Sequence, residues 1–246
     1  MGTNLTIDRG NTMTKLVVWN GNRQLMNCSI VKATTASIMR AISSLEVDRA
    51  MICSVAGSFA KLSEELLARG IELKELNAET PLPIEIDYAT PQTLGTDRIA
   101  AAAGARALYP GRDILIADIG TAATYDWLTA DGHFAGGNIA PGIGMRLKAL
   151  NHFTARLPLI RSNGDIKAWG DTTETAMRSG AIYGVVAEIC YYRQMLSKEA
   201  VVVLTGGWGS DVAKLLPFEV KVEDLLVNTG LNSIMDYGEA IGQTNI

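Results

Sequence analysis

Cysteine, histidine and unbroken apolar runs are all scarce in this chain. Cys28, Cys53 and Cys190 stand far apart, each in an apolar stretch, and His133 and His152 are the only histidines. Nothing in that spacing resembles a zinc site, so the cysteines read as small buried side chains in a reducing compartment. No apolar run approaches the ~20 residues of a membrane-spanning helix, and the start lacks the basic region and apolar core of a secretory signal. Met1–Thr6 fits a myristoylation pattern, yet Leu5 and Ile7 read as the opening of a core strand. Positive charge is not in excess either. The net charge is −4, with lysine and arginine scattered, which argues against a nucleic-acid partner. The expectation is a cytoplasmic protein engaging neither nucleic acid nor membrane.

What is present is a core. The 246 residues are 48% hydrophobic and 20% charged, as in a soluble globular protein of one large domain or two ordinary ones. At its centre lies Asp118-Ile119-Gly120-Thr121-Ala122-Ala123-Thr124-Tyr125-Asp126, directly after the apolar strand Asp113–Ala117. A carboxylate at a strand end, followed by Gly and two Thr, suits a phosphate-binding hairpin. Glycine lets the backbone come close, N–H and hydroxyl groups donate, and the carboxylate holds a charge-offsetting cation. Ordinary turns collect the same residues, so repetition matters. Asp8-Arg9-Gly10-Asn11-Thr12-Met13-Thr14-Lys15 aligns with this stretch without a gap over 8–20 and 118–130, at an offset of 110 residues. That offset suits a duplicated half-domain, with halves 1–112 and 113–246, and two such hairpins facing each other describe a nucleotide clamp.

Short turns between apolar stretches predict antiparallel strands over Leu5–Asp8, Lys15–Trp19 and Gln24–Val31, and Ile38, Ala41, Ile42 and Leu45 on one face predict a helix over Thr35–Leu45. A fully apolar run makes Arg49–Val55 an internal strand, followed by a helix over Phe59–Arg69 and a strand over Glu72–Leu76. Prolines 81, 83 and 91 make 78–94 an irregular connector. A helix from Gly95 is so rich in small residues that another element must pack closely on it. Asp97 in its first turn is either a dipole-favoured helix-start carboxylate or a functional one. Strands at 113–118, 123–129 and 133–140 repeat the opening pattern. Gly136–Gly144 leads into a helix N-terminus that suits an anion or a tight turn. Loop 161–171 precedes Asp171-Thr172-Thr173-Glu174, which starts a long helix to Leu196 with capping-box chemistry. Strand Val201–Leu204 runs into Gly206-Gly207, which could border an adenosine pocket, and a last helix spans Asn228–Ile241.

Four segments, D-x-G-N-T-x-x-K (Asp8–Lys15), G-x-D-R (Gly95–Arg98), D-x-G-T-A-x-T-x-D (Asp118–Asp126) and G-G-x-I-x-P-G (Gly136–Gly142), stand in order, supported by Thr172-Thr173-Glu174 and Ser179-Gly180. On these the chain resembles the type III pantothenate kinases along nearly its whole length. The resemblance implies an α/β fold of duplicated ribonuclease-H-like domains, the actin-like ATPase fold, with the nucleotide cleft between them. It implies ATP-dependent phosphorylation of pantothenate, the first step toward coenzyme A, by a cytoplasmic homodimer needing Mg2+ or another divalent cation and K+ or NH4+. By the same resemblance Asp8, Arg9, Gly10, Asn11, Thr12, Met13, Thr14 and Lys15 form the ATP phosphate loop, with Thr121 a further ATP contact. Asp118 resembles the potassium ligand. Asp97 resembles the general base, within a substrate segment Gly95, Thr96, Asp97, Arg98 joined by Tyr88 and Thr173. The chemistry agrees, because phosphoryl transfer needs a positioned hydroxyl, a proton acceptor and cations. A non-catalytic transcriptional accessory protein, or another phosphotransferase or phosphatase on the same scaffold, remains the alternative.

Overall fold

Alternating apolar and polar residues make the first thirty positions an antiparallel meander in the computed structural model, which describes residues 2–54 and 59–242. Its strands are β1 (Thr3–Arg9), β2 (Met13–Asn20) and β3 (Arg23–Val31). Then come α1 (Thr35–Ala41), β4 (Arg49–Ser54), α2 (Ala60–Leu67), β5 (Glu72–Glu75), β6 (Glu85–Ile86), a 3-10 turn at Pro91–Thr93 and α3 (Thr96–Leu108). Val55, expected at the end of β4, lies outside the described residues. The five-stranded sheet has the order β3-β2-β1-β4-β5, so β1 is its centre. Leu5 and Ile7 face α1 and α2 in a core with Leu16, Ile38, Ile42, Ile52 and Leu66. Their alternating neighbours Asn4 and Thr6 point the other way, onto Asn232 and Asn228 of α7 (Leu226–Ala240).

The chain from Gly111 repeats the plan. β7 (Ile114–Ile119), β8 (Ala122–Leu128) and β9 (His133–Pro141) are followed by α4 (Ile143–His152), α5 (Thr173–Gln194), β10 (Val201–Thr205), α6 (Gly209–Ala213) and β11 (Lys221–Val222). Their sheet order, β9-β8-β7-β10-β11, matches β3-β2-β1-β4-β5 strand for strand, with antiparallel β7/β8 and parallel β7/β10. Core residues Leu115, Ala117, Ile119, Ala123 and Tyr125 meet Ile143, Leu147, Ile182 and Val185 of α4 and α5. The connector 78–94 is less irregular than its prolines suggest, because Glu85 and Ile86 pair in parallel with His133 and Phe134.

By compactness the chain divides into one unit of residues up to Pro110 with Gly132–Phe134 and everything from Leu225, and a second of Gly111–Asp131 with Ala135–Asp224. Helix α7 therefore leaves the half 113–246 in which its sequence lies and packs in the first unit. Its partner is the small-residue helix α3. A side chain on Gly104 would stand 2.9 Å from the Gly230 nitrogen, and one on Gly230 would run into the Ala100 carbonyl. Ala100, Ala101, Ala102, Ala103 and Ala105 are all buried, so the close packing that their size called for is met within the chain. The small-residue face of α3 is therefore covered within the chain by α7.

Gly230→Ala should lower the urea midpoint by the equivalent of about 1–3 kcal/mol, because two backbones would have to separate. Gly180→Ala, in α5 with nothing near its missing side chain, should leave stability equal or slightly raised.

Candidate active site

The first hairpin places its functional groups at the end of the central strand. Asp8 lies opposite Lys15 across β1 and β2 and beside Cys53 across β1 and β4. The turn is tight: the Gly10 N–H donates to the Met13 carbonyl at 3.1 Å, and Asn11, Thr12 and Met13 form an exposed tip. Its second-unit counterpart closes one residue shorter. Asp118 pairs with Thr124, and the Gly120 N–H donates to the Ala122 carbonyl at 3.0 Å. The gapless sequence alignment thus slips by one after the turn. Lys15, not Thr14, takes the place opposite Asp8, and Thr14 is instead buried opposite Arg9.

Helix α3 begins beside this strand end. Thr96 shares a 3.3 Å hydrogen bond with the Cys53 thiol, and Asp97 folds back so that Oδ1 accepts from the Arg98 N–H at 2.9 Å. A Cβ at Gly95 would sit 2.5 Å from that same oxygen, so a larger residue there would push the Asp97 carboxylate aside. The helix-start reading of Asp97 is therefore correct as geometry and leaves its second oxygen for other work. Arg98 is buried, with its guanidinium carbon 5.8 Å from the Tyr88 ring centroid and 5.5 Å from that of Phe134. The two rings meet edge to face at 6.2 Å. Tyr88 is held at this spot by the β6/β9 pairing and by Asp87, whose carboxylate lies 3.0 Å from His133 Nδ1.

Burial pushes the Asp8 carboxyl up to about 6 from its ordinary 3.8, against the pull of Lys15 and with the added repulsion of Asp97. The Cys53 thiol is raised as well, by burial first, with Asp8 and Asp97 contributing, so it is an inert neighbour rather than a nucleophile. A desolvated carboxylate beside a second one is the setting that a cation relieves. Among the described residues no three His, Cys, Asp or Glu side chains converge to cage a metal. That fits magnesium, which commonly uses one or two carboxylates and completes its shell with phosphate oxygens and water.

In the second unit Asp118, the penultimate residue of β7, lies against Gly206. Gly206, at φ +84°, could carry no side chain without striking Asp118 Oδ1 and the Ile119 backbone. Gly142 lies on the Gly120 and Thr121 carbonyls in the same way and donates its N–H to the Thr121 oxygen at 3.2 Å. Thr173 is the exposed first residue of α5, on a different element from this hairpin. The capping box at that helix start closes between Thr172 and Thr175 rather than on Glu174, which pairs with Arg178 at 3.7 Å.

Sequence reading missed Cys53 and Phe134 as neighbours of the substrate segment. Cys53 carried a signal, being the last apolar residue of a strand parallel to β1, whereas Phe134 depended on a strand pair only two residues long. Of the cysteines only Cys53 is fully buried; Cys28 and Cys190 are half-buried, and all three are free thiols.

A sequence profile of the type III pantothenate kinases matches residues 4–194. A type III pantothenate kinase of Phocaeicola vulgatus is 37% identical over 241 residues, covering 97% of this chain and 100% of the relative. Among solved structures, a Baf family protein of Campylobacter jejuni described as a transcriptional activator is similar with a TM-score of 0.63 at 21% identity, over 96% of this chain and 99% of its own. The activator of 2-hydroxyisocaproyl-CoA dehydratase from Clostridium difficile, with bound ADPNP, matches at 0.57 and 11% identity, over 99% and 98%. At those identities the two structures speak for the fold alone, an α/β fold of the actin-like ATPase kind.

Because its folded-state value is raised, ionising Asp8 costs stability. The cost is absent below about pH 4, grows through pH 6 and is complete above it. Asp8→Asn should therefore melt later than the parent at pH 7.5 without nucleotide, by the equivalent of about 1–2 kcal/mol. Below pH 4 the two melting curves should coincide.

Proposed function

This chain belongs to the type III pantothenate kinase family, and we infer from that membership that it phosphorylates pantothenate with ATP in coenzyme A biosynthesis. It is a phosphotransferase acting on an alcohol. The observation that carries the reading is full-length likeness to a kinase of that name, and every motif residue stands in place. The accessory-protein alternative gains nothing from the Baf-family likeness, which concerns the fold.

The proposed roles are those that the family resemblance implies, and the geometry within each unit supports them. Asp97 accepts the proton of the pantothenate primary hydroxyl as that oxygen bonds to the γ-phosphorus and the bond to ADP breaks. Its fixed Oδ1 and the glycine behind it support this assignment, because the carboxylate has one orientation. Residues Asp8 to Lys15 wrap the ATP phosphates with the turn's N–H groups and the Lys15 ammonium, and Thr121 adds a contact. A divalent ion carried with ATP would supply charge neutralisation on the phosphate oxygens, and Asp8 is the residue that would hold it. Asp118 would hold K+ or NH4+. Tyr88, Gly95, Thr96 and Arg98 are the substrate residues of the first unit, and Thr173 of the second is the further substrate contact that the resemblance implies. Arg98 sets the Tyr88 ring by lying between it and Phe134, and Thr173 offers a helix N-terminus to the pantothenate carboxylate. A homodimer formed through α5 is proposed in place of the covered alanine helix, supported by Tyr191 at 61% and Met195 at 67% exposure. The three free thiols support a cytoplasmic location.

Measured ATP consumption should depend on pantothenate. Consumption driven instead by a sugar or polyphosphate would overturn the activity. Asp97→Asn should lower kcat about 10²–10⁴-fold with ATP affinity kept, and near-normal turnover would remove Asp97 from the mechanism. Potassium or ammonium should activate and sodium should not. Asp118→Asn should abolish that difference, and equal rates in both salts with the parent enzyme would refute the cation assignment.

A further inference from the structure

Behind the second hairpin a ring of contacts begins and ends on the hairpin itself. Arg146, in the first turn of α4, donates from Nε to the Pro141 carbonyl at 2.7 Å. Its Nη2 donates to Glu188 of α5, 2.7 Å from Oε1 and 2.6 Å from Oε2. Glu188 Oε2 also accepts from the Tyr125 hydroxyl at 2.7 Å, and Tyr125 belongs to β8, the hairpin's second strand. On the other side Gly142, the residue after Pro141, donates to the Thr121 carbonyl. The path Thr121, Gly142, Pro141, Arg146, Glu188, Tyr125 is therefore closed. Two details show that it is built to fit. A side chain on Gly184 would stand 2.7 Å from Arg146 Nη1, so glycine there makes room for the guanidinium. Tyr192 packs on Tyr125 with ring centroids 5.0 Å apart, which fixes the phenol that holds Glu188.

We propose that Arg146 is a positioning residue for the Asp118–Thr124 hairpin. It sets the position of the Pro141–Gly142 backbone against which the Thr121 carbonyl rests, and Glu188 with Tyr125 sets Arg146. The inference rests on the reading of Thr121 as an ATP contact. A guanidinium suits the task because its planar fork serves two acceptors on different elements at once. A lysine ammonium reaches one of them at a time. The interaction is charge-assisted and half-buried, with Arg146 at 19% and Glu188 at 33% side-chain exposure, so solvent competes weakly for it.

The test compares the parent chain with Arg146→Met, Arg146→Lys and Tyr125→Phe, each shown to be folded by its thermal melt. Magnesium-ATP binding is measured by calorimetry, and both KM values by assay. Arg146→Met should weaken ATP binding about tenfold and raise the ATP KM while the pantothenate KM stays put. Arg146→Lys should recover little of the loss. Tyr125→Phe should show a smaller effect in the same direction that does not add to that of Arg146→Met. Unchanged ATP affinity in folded Arg146 variants would overturn the proposal, as would full recovery by lysine or an equal rise in both KM values. Should Arg146→Met not fold, unchanged ATP affinity in Tyr125→Phe overturns it. If the parent binds ATP but leaves pantothenate unphosphorylated, the kinase reading fails, and the ATP affinities still decide the role of Arg146.

Discussion

A carboxylate held out of water against its preference organises the first unit. Asp8 stands at the end of the central strand, desolvated, with Asp97 near enough to repel it and Lys15 across the ladder only partly offsetting the burial. An isolated fold would gain by losing that group. Its presence suits the proposed role, in which a cation carried with ATP would relieve it. Cys53 and Thr96 line the same spot without adding charge, and their hydrogen bond ties the first turn of α3 to the strand that flanks Asp8. The position of Asp97 thus depends on the packing of α3, and that packing depends on two glycines. Gly104 and Gly230 let α3 and α7 touch backbone to backbone.

The two units share one strand order and differ where chemistry would ask them to. One extra residue in the first turn puts an ammonium opposite Asp8, whereas the shorter second turn puts a threonine hydroxyl opposite Asp118. The second hairpin is instead crowded by glycines: Gly142 on the Gly120 and Thr121 carbonyls, and Gly206 on Asp118 and the Ile119 backbone. A charged pair thus stands at the end of the central strand in one unit, and a carboxylate opposite a hydroxyl in the other.

Much of this was legible in the sequence, for identifiable reasons. Alternation and short apolar runs marked most strands of both sheets, though not the two-residue β11, and the small residues of α3 announced a close partner. The identity of that partner was not legible, since nothing local in Leu226–Ala240 says it will leave the half in which its sequence lies. The repeat of Asp8 and Asp118 was visible, but the one-residue slip was not, because turn length shows in hydrogen bonding rather than in letter order. Proline hid β6 and with it the support of Tyr88. The Arg146 ring was invisible because its members, on β8, α4 and α5, are spread from Tyr125 to Glu188 with no periodicity linking them.

The most direct measurement follows the Asp8 carboxyl carbon by NMR as pH is varied, with Asp8→Asn used to assign the signal. For the protein alone the account predicts a midpoint near 6, moving down when magnesium and ATP are added. A midpoint near 3.8 in the protein alone, the ordinary value, would contradict it.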